Sequence, residues 1–183
     1  MANASYVSVG KPLVGGSIYR APAGTTLPTD ATTALGEAFK ELGYISEDGL
    51  VNANTAESTE IKDWGGLTVL TPFTNKSDRF TFTPIEALNI ERLKAIYGDS
   101  NVSGTLATGI TVNVNADEPE EAVYVVEILL NGGYVERIVV PRAMVAETGE
   151  LTFKRDTPIG QQITLAALPD SAGQTHYIYI AKP

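Results

Sequence analysis

Few residues of this sequence combine in a pattern that could support chemistry. His176 is the only histidine and the chain has no cysteine, so a histidine-activated nucleophile would have to use His176, and thiol chemistry is excluded. No Gly-x-Ser-x-Gly sequence, the turn that presents the serine of many hydrolases, occurs in the chain. The residues therefore predict no enzyme. A small hydrolase is the least favoured interpretation, and it would require an activity that His176→Ala removes.

Two further segments approach binding motifs without completing them. Residues 117–121 (DEPEE) offer carboxylates for a hard cation such as calcium, but they lack the alternating ligand spacing and the central glycine of a calcium loop. A solvated connection between strands is the better interpretation. Gly10-Lys11-Pro12 lacks the first glycine and the final Ser or Thr of a phosphate-binding loop. No metal site and no cofactor are predicted.

Length and charge limit the function further. A chain of 183 residues with 43% hydrophobic residues suits one domain with a sizeable core. The net charge of -9 disfavours a sequence-specific grip on nucleic acid, although it does not exclude a protein past which nucleic acid slides. No window approaches the roughly 20 apolar residues of a membrane helix, and the first five residues do not resemble a signal peptide. We expect no membrane insertion and no Sec export.

The best-specified element is a predicted helix from Thr83 to Gly98. Thr83 and Glu86 have the spacing of a capping box, Pro84 suits the first helical position, and Gly98 is a stop signal. The residues predicted to brace the core from this helix are Ile85, Leu93, Ile96 and Tyr97. The residues predicted for its polar side are Glu91, Arg92 and Lys94. One face of the helix is therefore expected to be buried.

The remaining pattern is mostly that of β-strands. Residues 79–83 and 110–115 alternate between apolar and polar side chains. Residues 122–130 and 134–140 flank Asn131-Gly132-Gly133, the strongest hairpin signal in the chain. Because the first of these two segments is apolar on both faces, it needs cover on both sides. The sequence thus predicts a mainly β fold, a two-sheet β-sandwich or barrel with one flanking α-helix.

The first third of the chain is less regular. Residues 35–42 are predicted to form a short helix or an irregular packed segment. Residues 52–60 form a polar stretch that predicts a long connection between two strands, and residues 37–63 carry seven acids against two lysines, a local charge of -5. From charge alone, a solvated face is the better interpretation of this region. Trp64, the only tryptophan, follows this region beside Gly65-Gly66. An exposed indole there favours a partner surface over solvent, and the alternative is an indole that folds back on its own sheet.

Several runs of this sequence resemble one protein family. They are VGGSIYRAP at residues 14–22, TTLPTDA at 25–31, LGEAFKELGYISEDGL at 35–50, EIKDWGG at 60–66 and the helix region at 86–98. Together they resemble the major tail tube protein of long-tailed, non-contractile bacteriophages (siphoviruses). The resemblance covers most of the chain, and in the C-terminal third it holds for the pattern more than for the residues.

The resemblance implies a single tail tube domain over residues 1–183 that assembles as six-subunit rings stacked into a hollow tube through which double-stranded DNA passes without specific binding. In such proteins a long loop and an N-terminal arm bridge subunits; by position these are about residues 46–66 and 1–12. The regional self-assembly residues are Glu47, Asp48, Leu50, Ile61, Lys62, Asp63, Trp64, Gly65 and Gly66. The resemblance also implies a tape-measure protein and tail terminator and tip proteins as partners, with assembly in the bacterial host cytoplasm.

The alternative from another class is a monomeric β-sandwich that binds or adheres to a target on a virion or cell surface. In that interpretation the 46–66 segment would contact the ligand. The two interpretations differ in one observable property, because a tail tube protein forms rings or tubes and an adhesion module stays monomeric at high concentration.

Overall fold

A computed structural model describes residues 2–15 and 17–183; Met1, the first residue of the predicted arm, and Gly16 lie outside the described residues. The chain is mainly β, and the described part contains one α-helix. The strands are β1 (Lys11–Pro12), β2 (Ile18–Pro22), β3 (Lys40–Glu41), β4 (Ile45–Ser58), β5 (Ile61–Lys62), β6 (Thr68–Leu70), β7 (Phe73–Pro84), β8 (Val102–Thr105), β9 (Gly109–Val112), β10 (Ala122–Leu129), β11 (Val135–Thr148), β12 (Ile163–Ala167) and β13 (Tyr177–Ala181). The helix α1 spans Ile90–Tyr97, and 3-10 turns span Ala4–Tyr6, Asp99–Asn101 and Asn131–Gly133. The predicted mainly β class with one flanking helix is confirmed.

Nine of the strands form one antiparallel sheet in the order β3-β2-β10-β11-β12-β7-β4, with β1 beside β10 and β13 beside β11. The strand β11 is the junction, because residues 135–139 pair with β13 and residues 143–148 pair with β12 along the same edge. Two separate hairpins, β5-β6 and β8-β9, complete the strands.

The sheet folds over one apolar core. Tyr124 and Val126 of β10 belong to the same buried cluster as Phe80 and Phe82 of β7, although two strands lie between β10 and β7 in the sheet order. Burial of these large side chains is the main source of stability in a fold of this kind. The core is therefore continuous across β10, β11, β12 and β7 of the one sheet.

The predicted hairpin around Asn131-Gly132-Gly133 is confirmed. The strands β10 and β11 pair from Leu129↔Val135 onward, and Gly132 and Gly133 adopt φ of 77° and 79°. Six consecutive residues of β10, from Ala122 to Glu127, are buried, as expected of a strand that is apolar on both faces. Residues 30–35 cover part of one of these faces. The buried Arg137 of β11 joins them to the sheet, because it donates a 2.8 Å hydrogen bond to the Asp30 carbonyl and another to the Glu127 carboxylate of β10.

Of the two alternatives predicted for residues 35–42, the short helix is wrong, and the structure shows an irregular segment. Phe39 follows a turn closed by a hydrogen bond from its amide to the Gly36 carbonyl, and residues Lys40–Glu41 are strand β3. Leu42, which follows β3, is fully buried. The apolar residues of this segment have the spacing of a helix, but the segment is irregular and they do not share one buried helical face.

The start of the predicted long helix is also wrong. Thr83 and Pro84 are the last residues of β7, and α1 begins at Ile90 with Asn89 as its cap; the Asn89 side chain accepts hydrogen bonds from the amides of Glu91 and Arg92. Pairing of Pro84 with Ile45 keeps the chain extended, so Glu86 cannot close a capping box with Thr83. Instead Glu86 accepts a 2.9 Å hydrogen bond from the Tyr44 amide.

The helix ends at the residue that the sequence predicted, but different residues of it are buried. Gly98 closes α1 with φ of 92° and donates to the Lys94 carbonyl. The fully buried residues of α1 are Arg92 and Ala95, so the assignment of Arg92 to the exposed side is wrong. Leu93, Ile96 and Tyr97 of the helix, and Ile85 ahead of it, are half-buried, and Ile96 packs against the core cluster. The eight-residue helix thus packs along a narrower line than the predicted arc.

The 46–66 segment is a strand for more than half its length. The strand β4 extends over 14 residues, and Leu50 to Glu57 pair continuously with Asn75 to Phe82 of β7. The prediction of a polar loop is therefore corrected to a long β-hairpin. The sequence did not predict a strand there because residues 51–58 carry mostly small or polar side chains, all of them exposed, so no buried face appears as a regular series of large apolar residues.

Candidate assembly surface

The hairpin arm, residues 53–77, leaves the folded body as an exposed two-stranded ribbon. Nearly all of its residues are exposed, and the first that is fully buried beyond it is Asp78. Backbone pairing continues to Ser58↔Phe73, with a 3.0 Å contact between the hydroxyls of Thr55 and Ser77 on the way. At about 3.3 Å per residue, β4 spans about 26 Å from Leu50 to Ser58. The arm therefore carries its end well away from the core.

The arm ends in a tip, residues 59–72, that has its own ordered turn. The Ile61–Lys62 and Thr68–Leu70 strands pair, and Asp63 closes the turn by accepting hydrogen bonds from the amides of Gly66 (3.0 Å, backbone) and Leu67 (2.8 Å, side chain). Gly66 has φ of 87°, a conformation that favours glycine. The predicted Gly65-Gly66 pair therefore serves a turn that holds its neighbour Trp64 in place.

The tip presents large apolar side chains to solvent. Trp64 has a relative exposure of 105%. The other exposed apolar side chains of the tip and the adjoining strand are Ile61, Leu67, Val69, Leu70 and Phe73. A concentration of exposed apolar side chains on a short ribbon is typical of a protein–protein contact.

The base of the arm is anchored by one buried carboxylate. The side chain of Asp78 is completely buried and accepts hydrogen bonds from Asn52 (2.7 Å), Thr175 (2.6 Å) and His176 Nδ1 (2.6 Å). Burial raises the pKa of Asp78, but the hydrogen bonds from Thr175, Asn52 and His176 outweigh it and hold the pKa below its ordinary value. The ionised Asp78 therefore fastens both arm strands to the segment that precedes β13.

This network gives His176 a structural role. Its ring meets Phe80 edge-on at 5.4 Å between centroids, and its Nδ1 is engaged by Asp78. The neighbouring Thr175 hydroxyl donates to Asp78 rather than to the imidazole. The described geometry thus places His176 between a core aromatic ring and a buried carboxylate, which is an anchoring arrangement.

The N-terminal arm, predicted over about residues 1–12, is attached at two places. Lys11 and Pro12 form β1 and pair with Leu129 and Ile128, and the Ser8 hydroxyl accepts a 2.7 Å hydrogen bond from the Asn131 amide. Ahead of these contacts, Tyr6 and Val7 are strongly exposed. The segment thus runs along the β10–β11 turn and presents a second apolar surface.

The residues predicted for self-assembly divide into two groups. Glu47 and Asp48 are exposed and Leu50 is half-buried, and all three lie in β4 at the body end of the hairpin. Ile61 to Gly66 lie at the tip, at the other end. Sequence reasoning missed Leu67, Leu70 and Phe73 as surface residues. The sequence carries no local signal for their exposure, because apolar residues in a strand-like segment normally indicate burial.

The described residues contain neither a cluster of metal ligands nor a membrane-spanning helix. Within residues 2–15 and 17–183, no group of three or more histidine, cysteine, aspartate or glutamate residues is arranged to hold a metal ion. The acidic connection at residues 117–120 is exposed throughout. In the same part of the chain no helix has the length and apolar character needed to cross a bilayer.

Comparison with known proteins gives a matching family and a similar solved structure. A family model described as "Phage tail tube protein" matches residues 5–183. Among solved structures the chain is similar to the cryo-EM structure of the anti-feeding prophage cap (AFP tube terminating cap), with a TM-score of 0.43 and 12% identity over 96% of this chain and 95% of that chain. A likeness at that level carries no functional argument. A comparison with curated proteins finds no match.

Proposed function

The chain belongs to the phage tail tube protein family, and we propose that as a single tail tube domain it assembles as six-subunit rings that stack into the hollow tail tube of a long-tailed, non-contractile phage. Membership in the family makes it a structural component of a phage tail. The ring number, the type of tail and the passage of double-stranded DNA to the host are the parts that we propose. In this function the chain acts by its geometry and not by a catalytic group.

The observation that carries the proposal is the hairpin arm with its apolar tip. The ribbon extends away from the body and ends in the exposed side chains of Trp64, Leu67 and Phe73. These side chains do not stabilise a single chain, because they are not buried within it. Burial of these side chains against a neighbour would release free energy at every contact of a repeating assembly. A contact between different surfaces of identical subunits closes into a ring or continues as a filament, which is the requirement of a stacked tube.

The sheet edges provide a second kind of contact. The strand β4 pairs only with β7 and forms one edge of the nine-stranded sheet, and β13 pairs only with β11. Such strands have backbone groups available for pairing with another chain. Edge-to-edge pairing between neighbours would join the sheets of six subunits into a continuous wall around a lumen.

The net charge of -9 suits a wall that DNA slides past. Acidic residues that face the lumen would repel phosphates and keep the DNA from adhering. Tubes should therefore fail to bind double-stranded DNA at low salt, in a filter-binding or electrophoretic assay. Strong binding by wild-type tubes would remove this part of the proposal.

Electron microscopy of the purified protein tests the assembly. We expect rings or tubes roughly 100 Å across, the size that six domains of this length need around a lumen. Replacement of residues 59–72 by Asn-Gly should leave a two-residue hairpin turn between the paired Ser58 and Phe73, so the monomer folds but tubes are lost. Persistent wild-type monomers at high concentration would overturn the proposal in favour of an adhesion module.

A tail of this kind also needs other proteins. We propose a tape-measure protein inside the growing tube and terminator and tip proteins at its ends. The tail would assemble in the host cytoplasm and then form part of the virion. Co-expression with the neighbouring tail genes, followed by sizing of the tubes, tests this part. Tubes of one fixed length only in the presence of a long helical partner would support it.

A further inference from the structure

A groove lies on the body at the opposite end of the hairpin from the tip. Its cavity volume is about 420 Å³, and its lining comes from β1, β2, the start of β4 and the end of β10. Ile18 and Val126 form a buried floor, and Leu50 and Ile128 pack beside them at partial exposure. This volume lies in the range of pockets that accept a compact organic group. The groove is thus an apolar depression in the folded body.

The walls of this groove come close to one another because of a small residue. A Cβ at Gly10 would lie 3.0 Å from Ile128 Cγ2, which is tighter than normal packing. Glycine at this position therefore lets the backbone before β1 pack closely against Ile128 at one wall of the groove. The rim carries two exposed charges of opposite sign, Lys11 on the β1 side and Glu47 on the β4 side.

The tip of the arm carries an exposed aromatic side chain and charged neighbours, which could fit an apolar groove with a charged rim. Trp64 is fully exposed at a turn held by hydrogen bonds to Asp63, and a rigid indole loses little conformational entropy when it is buried. The two residues before it, Lys62 and Asp63, are exposed charges of opposite sign. Lys62 lies near Glu60 (3.4 Å), and both side chains are more than half exposed. The tip and the rim of the groove therefore each carry exposed charges of both signs, so Lys62 and Asp63 can pair with Glu47 and Lys11.

The groove and the tip of one chain do not meet. The groove contains Leu50, whereas the paired strand continues for about 26 Å at 3.3 Å per residue before it reaches Ser58 and the tip beyond it. An occupant from this protein must therefore come from a second copy. Because the two surfaces differ, the contact is heterologous and repeats from copy to copy.

We propose that the tip of one copy docks in the groove of the next, with Trp64 inserted between β1 and the start of β4, Lys62 facing Glu47, and Asp63 facing Lys11. This inference rests on the proposed function, and it assigns the receiving surface for the arm. Trp64 is the apolar anchor, and the charge pairs at the rim set the orientation.

Fluorescence tests the inference directly, because Trp64 is the only tryptophan in the chain. When tubes form, the emission of Trp64 should shift to shorter wavelength, and quenching by acrylamide should fall several-fold relative to the monomer. Tubes in which Trp64 is quenched as strongly as in the monomer would overturn the inference and leave the proposed function intact. A wild-type protein that forms no tubes would instead overturn the proposed function.

Charge reversal identifies the groove as the receiving site. Glu47→Lys and Lys62→Glu should each raise the critical concentration for assembly by about tenfold, the change that corresponds to 1.4 kcal/mol. The double variant should recover most of the loss, because the pair is restored with its signs exchanged. Absence of recovery, with folded monomers by circular dichroism, would place the Trp64 contact elsewhere and overturn the inference.

Filling of the groove gives an independent test. Lys11→Trp places a ring at the exposed rim of the groove within each chain and should block assembly, and Lys154→Trp, at an exposed position outside the groove, is the matched control. Sedimentation measures both variants without the use of fluorescence. Assembly of Lys11→Trp at the concentration of the control would contradict docking in this groove.

Discussion

The two ends of the β4–β7 hairpin share one ladder of backbone hydrogen bonds but have opposite environments. At the body end Phe80 and Phe82 are almost completely buried, whereas on the arm Phe73 of the same strand is 62% exposed. The difference shows that pairing of two strands and burial of their side chains are separate contributions to a fold. The body end stabilises the single chain, and the arm end keeps apolar surface for association.

The largest effect expected from this contrast concerns two phenylalanines of β7. Phe80→Ala should lower the free energy of unfolding by about 3–5 kcal/mol, because it leaves a cavity in the core. Phe73→Ala should change it by less than about 0.5 kcal/mol and weaken assembly instead. Urea denaturation of both monomers measures the difference. Equal losses of stability would show that the arm folds back onto the body.

A second comparison uses two aspartates of the hairpin. Asp78→Asn removes a buried charge that accepts three hydrogen bonds and should cost about 1–3 kcal/mol of unfolding free energy. Asp48→Asn, at an exposed position of β4, is the control and should fall within about 0.5 kcal/mol of the wild type. Thermal unfolding of the two variants is the measurement. Similar melting temperatures would remove Asp78 as the anchor of the arm.

The same carboxylate should make the monomer sensitive to acid. The pKa of Asp78 is lower in the folded protein than its ordinary value of about 3.9. Its ionisation therefore stabilises the fold above that ordinary value, and the stabilisation is lost as the pH falls through the folded pKa. Between about pH 5 and about pH 3, the wild type should lose more stability than Asp78→Asn. Parallel pH profiles would contradict the role of this charge.

A third pair of variants compares two glycines before β4. Gly43 has φ of 81°, and a Cβ there would lie 2.2 Å from the Glu86 carboxylate, so Gly43→Ala should cost about 1–2 kcal/mol. Gly36 has open space around the corresponding position, and Gly36→Ala serves as the control with little change. Denaturant midpoints measure both. A neutral Gly43→Ala would mean that the Glu86–Tyr44 contact is unnecessary for closing the base of the hairpin.

The smallest expected difference separates two hydroxyl pairs of the same length. Thr81 and Thr164 form a 3.0 Å contact in the body, where Thr164 is buried, and Thr55 and Ser77 form one on the exposed arm. Thr164→Val should lower the free energy of unfolding by about 1 kcal/mol, since it leaves the Thr81 hydroxyl without its hydrogen-bond partner. Thr55→Val should cost less than about 0.5 kcal/mol. A larger effect for Thr55 in the monomer would reverse the contrast between body and arm.

Local signals were sufficient for several elements of this protein. Asn131-Gly132-Gly133 predicts a reversal because its glycines tolerate positive φ, and the β10–β11 hairpin forms there. Gly98 predicts the end of α1 for the same reason. The continuous apolar run of β10 predicts a strand that is covered on both faces, and its residues are buried. In each case the information lies within a few neighbouring residues.

Other elements depended on partners that are distant in the sequence. The pairing of Pro84 with Ile45 extends β7 through a segment that carries strong helix-start signals, so α1 begins six residues later. Residues 51–58 form a strand because β7 pairs with them, although their side chains are mostly small or polar and all exposed. The anchoring of the arm through Asp78 needs residues 175 and 176 from the far end of the chain. The sequence by itself determined the β10–β11 turn, the end of the helix and the buried strand. Only the tertiary structure decided the arm, because its strands form through hydrogen bonds between residues that are distant in the sequence. Both faces of the arm are exposed, so its side chains show no buried face.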